Sequence, residues 1–172
     1  MKKVYNISLF TENSIGILNR ITIIFTRRHL NIESITASEC EVEGVFRYTI
    51  VLETDEDMVK KVVHQIEKQV DVLKAFYHSD EEVIYQEMAL YKLATDLSHA
   101  NDLGLVLKEH GAAMIAFNNE FTTLEKTGTP KQIRDLFDAL KPFGVLEYAR
   151  SGRVAISKPM KKLADYLEEL EH

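Results

Sequence analysis

The stretch TENSIGILNR, residues 11–20, decides the fold of the first half of this chain. It places a polar turn with Asn13 and Gly16 between an alternating strand and a segment whose apolar residues recur at helical spacing. Ser14 stands where its side chain can cap that helix. A second short segment, NIES at residues 31–34, opens the next predicted strand with Asn31.

The turn has the chemistry of a binding site for a small amino acid. Gly16 lacks a Cβ, so a ligand can approach the backbone closely, and the free amide N–H groups of a helix N-terminus favour an anion. Asn13 and Asn31 can each donate and accept hydrogen bonds. These groups suit a carboxylate and an ammonium, and the turn holds no evident nucleophile or acid–base pair. We therefore expect a sensor without catalytic residues.

Hydrophobic periodicity predicts the order β-α-β-β-α-β twice, which is the split βαβ or ferredoxin-like pattern of an α+β fold. In the first half, the predicted strands are 4–10, 31–41, 45–53 and 70–77, and the helices begin at Ile17 and cover 56–69. In the second half, the strands are 83–94, 112–117, 121–127 and 145–150, and the helices cover 101–110 and begin at Pro130.

The acidic segment HSDEE, residues 78–82, is the best linker candidate between the two repeats. The sequence therefore predicts a first domain at 1–78, a second ferredoxin-like domain at 79–158 and a tail at 159–172. In the tail, apolar residues from Met160 to Leu167 recur at helical spacing and predict a C-terminal helix. Its last three residues, LEH, can also be the beginning of a purification tag.

Composition and patterning exclude several classes of function. The formal net charge of −6 disfavours a general nucleic-acid binder. No apolar run approaches the roughly 20 residues needed to span a bilayer, and the N-terminus has no signal-peptide core, which together predict a cytoplasmic protein. The six histidines show no metal-binding spacing. We expect no metal, cofactor, nucleic acid or membrane partner for this chain.

Several segments in the same order carry a family resemblance. Residues 13–20 resemble the N-x-x-G-x-L-x-R turn of ACT domains, and NIESIT at 31–36 resembles the NIESL segment of one branch. EMALYK at 87–92 resembles that branch's E-x-x-L-x-K strand, although Tyr91 replaces the usual aliphatic residue. Residues 127–133 and EYARSG at 147–152 resemble two further segments. The branch is the regulatory (small) subunit of acetohydroxyacid synthase, also called acetolactate synthase.

The resemblance implies a regulatory protein without its own catalysis. Such a subunit binds the large catalytic subunit, which holds thiamine diphosphate, FAD and magnesium. It raises the activity of that subunit and makes it sensitive to a branched-chain amino acid, usually valine. The ACT domains of this branch pair side by side, which implies a homodimer with the effector between two copies. Carried over to matching positions, the effector-binding residues are Asn13, Ser14, Ile15, Gly16, Ile17, Asn31 and Ile32.

Two other functions compete with this one. A free-standing ACT-type sensor of another enzyme or a transcription factor is disfavoured because no helix-turn-helix is recognisable. An acylphosphatase-type enzyme needs a glycine-rich phosphate loop with an arginine, whereas this loop has one glycine and Arg20 lies beyond it. The sequence does not distinguish valine, leucine and isoleucine, because one methylene changes affinity by only about 1–3 kcal/mol.

Overall fold

The computed structural model describes residues 1–158, so the predicted C-terminal helix at 159–172 lies outside the described residues. The chain forms two compact units. The first comprises Met1–Ile84 and the segment that begins at Arg153, and the second comprises Tyr85–Gly152. None of the helices described up to residue 158 has the length and apolar character needed to cross a bilayer.

The first unit is a four-stranded antiparallel sheet with two helices. Its elements are β1 (Lys3–Glu12), α1 (Ile17–Thr26), β2 (Ser34–Glu39), β3 (Val45–Thr54), α2 (Glu56–Glu67) and β4 (Val72–Ser79). The strand order is β2-β3-β1-β4. Alternate residues of β1 and β3, such as Ile7 and Ile50, join the apolar stripes of both helices in one core. This arrangement is the predicted ferredoxin-like fold.

The second unit repeats that topology. Its elements are β5 (Val83–Ala94), α3 (Ala100–His110), β6 (Ala113–Phe117), β7 (Phe121–Gly128), α4 (Pro130–Leu140) and β8 (Val145–Arg150). The strand order is β6-β7-β5-β8. Pro130 occupies the start of α4, and Thr129 and Gln132 form a reciprocal capping box there. The α+β class and the repeated order predicted from the sequence are confirmed.

The unit boundaries differ from the predicted domain limits of 78 and 158. The predicted linker is a short structured turn, because β4 runs to Ser79 and a 3₁₀ turn follows at Asp80–Glu82. The Glu82 carboxylate accepts from both the backbone N–H and the hydroxyl of Ser79, each at 2.8 Å. A ninth strand, β9 (Val154–Ser157), falls in the first unit and pairs with β5, whose first residues, Val83 and Ile84, also belong to that unit.

A buried polar cluster holds the returning segment on the first unit. The guanidinium of Arg153 donates to Asn6 Oδ1 at 2.9 Å and to Asp80 Oδ1 at 2.7 Å. Asn6, which is 1% exposed, also donates to Asp80 at 2.8 Å. Thr36 Oγ1 donates to the Arg153 carbonyl, and Arg47 donates to the Ala155 carbonyl at 2.6 Å. Asp80 falls in the predicted linker, yet its side chain takes part in the hydrogen bonds that stabilise the first unit.

Tyr91, the departure from the family pattern, is accommodated in the core of the second unit. It is fully buried, and its hydroxyl donates to the Ile133 carbonyl of α4 at 2.8 Å. Burial raises the pKa of Tyr91 above its ordinary value, which keeps the phenol protonated as a donor. The ring packs beside Tyr148, with 5.2 Å between the ring centroids.

We predict that Tyr91→Phe lowers the free energy of unfolding of this chain by about 1 kcal/mol, the usual value of one hydrogen bond. Urea denaturation measures the change. Tyr148→Phe is the matched control, since Tyr148 is partly exposed and lies on the same face; it should change stability by less than about 0.5 kcal/mol. Equal losses in both variants would show that the Tyr91 hydrogen bond contributes nothing specific.

Candidate functional site

The turn between β1 and α1 is built around the backbone of Gly16. This residue is the N-cap of α1 and has φ +84° and ψ −1°, a left-handed conformation that a side chain disfavours. Nothing lies within 4 Å of the position that a Cβ would occupy. The left-handed backbone therefore favours glycine at this position, and the space beside it is open to a ligand.

A polar brace of three side chains fixes the base of this turn. Ser14 Oγ donates to Asp71 Oδ2 at 2.8 Å, and the Arg20 guanidinium donates to the same oxygen at 2.6 Å. Arg20 also donates to Ser14 Oγ at 3.2 Å. The Glu12 N–H donates to the Asp71 carbonyl at 2.9 Å. Ser14 therefore anchors the turn to the loop before β4, and the prediction that it caps α1 is wrong.

The hydrogen bonds from Arg20 and Ser14 lower the pKa of Asp71. A lowered folded-state pKa means that the brace is fully formed above the ordinary aspartate pKa of about 4 and is lost as the pH falls through the lowered value.

We predict that Asp71→Asn at pH 7 speeds amide hydrogen exchange in the turn at residues 14–17. Glu53→Gln, an exposed carboxylate on β3, is the control and should leave these amides unchanged. Unchanged protection in Asp71→Asn would exclude the brace as a rigidifying element.

The structure places the predicted site residues in different surroundings. Asn13, Ile15 and Gly16 lie together on the exposed turn, and Ile15 is fully exposed. Ile17 is buried in the core, so it offers the turn its backbone but little of its side chain. Within residues 1–158, the side chain of Asn13 has no hydrogen-bond partner.

The second part of the predicted site lies on the segment between α1 and β2. Asn31 is exposed, and Ile32 is half-buried against the core of the first unit. No hydrogen bond of the described residues joins the Asn31 side chain to the turn. The segment is held in place by Glu33, whose N–H donates to the Val51 carbonyl at 2.8 Å. One copy of the chain thus offers two separate exposed amides.

Asp71 is the site-supporting residue that sequence analysis missed. It lies 57 residues from Ser14 and 51 from Arg20. Its positive φ of 72° marks a tight turn, which aspartate tolerates better than most residues. The only sequence signal was an acidic residue between a predicted helix and a predicted strand. Among residues 1–158, no group of three or more His, Cys, Asp or Glu side chains is arranged to hold a metal ion.

Comparison with known families matches both halves of the chain. Residues 7–74 match the family described as the AHAS small subunit-like ACT domain. Residues 86–159 match the family described as the small subunit of acetolactate synthase. The candidate turn and the segment that carries Asn31 both lie within the first match.

Individual relatives resemble the chain over nearly its whole length. It is 34% identical over 165 residues to the acetolactate synthase small subunit of Bacillus subtilis, covering 95% of each chain. It is 28% identical over 154 residues to that of Mycolicibacterium smegmatis, covering 90% of this chain and 91% of the relative. The crystal structure of the acetolactate synthase small subunit from Thermotoga maritima superposes with a TM-score of 0.84 at 26% identity, covering 92% of this chain and 99% of that one.

Proposed function

This chain belongs to the family of acetolactate synthase small subunits, and on that premise we propose that it is the regulatory subunit of acetolactate synthase in branched-chain amino-acid biosynthesis. It binds the thiamine-diphosphate-dependent catalytic subunit in the cytoplasm and raises its activity. It also confers feedback inhibition by a branched-chain amino acid, of which valine is the first candidate. In this proposal the chain contributes no catalytic residue and no cofactor of its own.

The observation that carries the sensing role is the open, braced turn between β1 and α1. The backbone at Gly16 is unobstructed, and its neighbouring N–H groups at the start of α1 can receive a carboxylate. The Asn13 amide beside it is exposed and has no hydrogen-bond partner within residues 1–158, so it is available to an ammonium or carboxylate. The fully exposed Ile15 offers an apolar contact for a branched side chain.

Pairing of two first units would complete this site. Ile15, Leu18 and Ile23 are all exposed on the turn and α1, which is an unusual concentration of apolar surface. The strands β2 and β4 form the two edges of the sheet, and an unpaired edge favours association with another copy. A twofold dimer through these elements would bring the turn of one copy towards the Asn31 segment of its partner.

We predict that the wild-type chain sediments as a dimer at micromolar concentration and that Leu18→Glu shifts it towards monomer, because a charge would be buried at the interface. Lys61→Glu, which places the same side chain on the exposed face of α2, is the control and should stay dimeric. A monomeric wild-type chain, with or without valine, would contradict pairing through this face.

Reconstitution tests the proposed function. The chain is mixed with the catalytic subunit of the same source, and the rate of acetolactate formation is measured with and without each branched-chain amino acid. The proposal predicts co-purification, a higher rate on adding the chain and inhibition by at least one amino acid only when the chain is present. A rate that is unaffected by the chain would contradict it.

A further inference from the structure

The second unit contains a cavity of about 170 Å³ that the proposed function does not use. The end of β5, the start of α3 and the strand β6 line it. Its walls are mainly apolar, and they include Leu93, Leu103, Leu107, Met114, Phe117 and Phe143. The volume is close to that of engineered apolar cavities of about 150 Å³ that bind benzene. A small ring or a branched aliphatic group would therefore fit.

The helix α3 leaves this cavity open. No residue of α3 is buried, and Leu103 and Leu107 pack only partly against the core of the second unit. Gly104 lies inside the helix and lines the cavity, although nothing approaches within 4 Å of the position of a Cβ there. Glycine destabilises a helix interior relative to alanine. No packing contact requires it at this position, and the space beside it at the cavity wall is open.

One threonine hydroxyl that lines the cavity has lone pairs free to accept a hydrogen bond. Thr95 Oγ1 donates its one hydrogen to the Asn118 carbonyl at 2.7 Å. Thr122 must therefore be the donor in the 3.1 Å contact between the two threonine hydroxyls, which leaves lone pairs on Thr122 Oγ1. Thr122 is 3% exposed, so this acceptor is buried and lines the cavity.

A second acceptor in the lining is the exposed carboxylate of Asp96. It receives hydrogen bonds from the backbone N–H and the hydroxyl of Ser98. His99 faces the other carboxylate oxygen at 2.9 Å. The lining contains no lysine or arginine. A ligand carboxylate would meet Asp96 without a lysine or arginine partner, whereas a ligand N–H group would find acceptors.

We propose that this cavity binds a small apolar amine, up to about the size of benzene with an aminomethyl group. The apolar body occupies the space beside Gly104, the amine donates to Thr122 Oγ1, and the Asp96 carboxylate disfavours an anionic ligand. The site differs in chemistry from the turn at Gly16, which suits a carboxylate. It is therefore a second binding site, and it does not depend on the proposed function.

The test is an NMR titration of the full chain, following the Met114 methyl signal, with benzylamine, toluene and benzoate as probes. Benzylamine should cause saturable shifts, and benzoate should bind at least tenfold more weakly. Gly104→Leu, which adds a large side chain at the cavity lining while improving helix propensity, should weaken benzylamine binding at least tenfold. Leu105→Ala, on the exposed face of the same helix, should change nothing.

Thr122→Val tests the acceptor separately, since valine keeps the shape of threonine without its oxygen. It should weaken benzylamine binding about tenfold and leave toluene binding unchanged. The proposal is overturned if benzylamine causes no saturable shift or if benzoate binds as tightly. It is equally overturned if a folded Gly104→Leu chain, checked by circular dichroism, or the Thr122→Val chain binds benzylamine like the wild type.

Discussion

Replacing Asn13 or Asn31 with alanine is expected to abolish feedback inhibition while leaving activation of the catalytic subunit largely intact. Each asparagine is exposed in the single chain and is available to the polar ends of an amino acid. Losing one partner of a ligand carboxylate or ammonium costs about 1–3 kcal/mol. That loss raises the concentration for half-inhibition roughly tenfold or more. Inhibition curves of the reconstituted enzyme with valine, leucine and isoleucine measure the effect.

Asn101→Ala is the matched control for these variants, because Asn101 is an exposed asparagine that belongs to the second unit and not to the turn. It should keep wild-type feedback. Feedback requires only that the effector bind one conformational state better than another, so the sensing site and the activating surface can be separate. If Asn13→Ala loses activation as completely as feedback, the turn is the docking surface and not the effector site. Wild-type inhibition in both variants would exclude the two asparagines as effector contacts.

The second large effect is expected from Arg153→Ala, which should lower the free energy of unfolding by about 3 kcal/mol. The substitution removes the donor to Asn6 Oδ1 and to Asp80 Oδ1. It leaves the buried amide oxygen of Asn6 without this donor. It also removes the guanidinium that pairs with Asp80, whose side chain is 36% exposed. Breaking a fully buried ion pair costs about 3–5 kcal/mol, and the exposure of Asp80 moves the expected value to the lower end.

The chain has no tryptophan, so chemical denaturation followed by circular dichroism measures this loss. Lys158→Ala is the control, since Lys158 is an exposed cation of the same segment, and it should change stability by less than about 0.5 kcal/mol. Arg153→Lys should fall between the two, because one ammonium replaces the planar fork of donors. Equal stability of Arg153→Ala and the wild type would show that the returning segment adds nothing to the first unit.

Local periodicity was sufficient to predict most of the fold. The predicted bounds of β5 and β8 coincide with the observed strands Val83–Ala94 and Val145–Arg150. In β5, buried and more exposed residues alternate along most of the strand, because every second side chain faces the core. The strand predicted at 31–41 is shorter in the structure, at Ser34–Glu39. Residues 31–33 form the loop that leads into β2. The sequence pattern does not distinguish an extended loop from a paired strand.

The partners of polar side chains could not be predicted in the same way. Ser14 has the composition of a helix cap, yet its hydroxyl binds Asp71. Arg153 follows the last predicted strand by only three residues, yet its guanidinium binds Asn6, 147 positions earlier. Such contacts depend on which segments the tertiary fold brings together, and no local spacing encodes them. The exposed turn at Gly16 was predictable because its glycine and asparagine act through the local backbone.

Calorimetric titration of the chain with valine, leucine and isoleucine tests the sensing claim most directly. We predict saturable binding of at least one of the three to the wild-type chain and to Asn101→Ala. The same ligand should bind at least tenfold more weakly to Asn13→Ala and Asn31→Ala. Absence of binding by all three amino acids, or equal binding to the wild-type chain and both variants, would contradict the assignment of the effector site to the turn between β1 and α1.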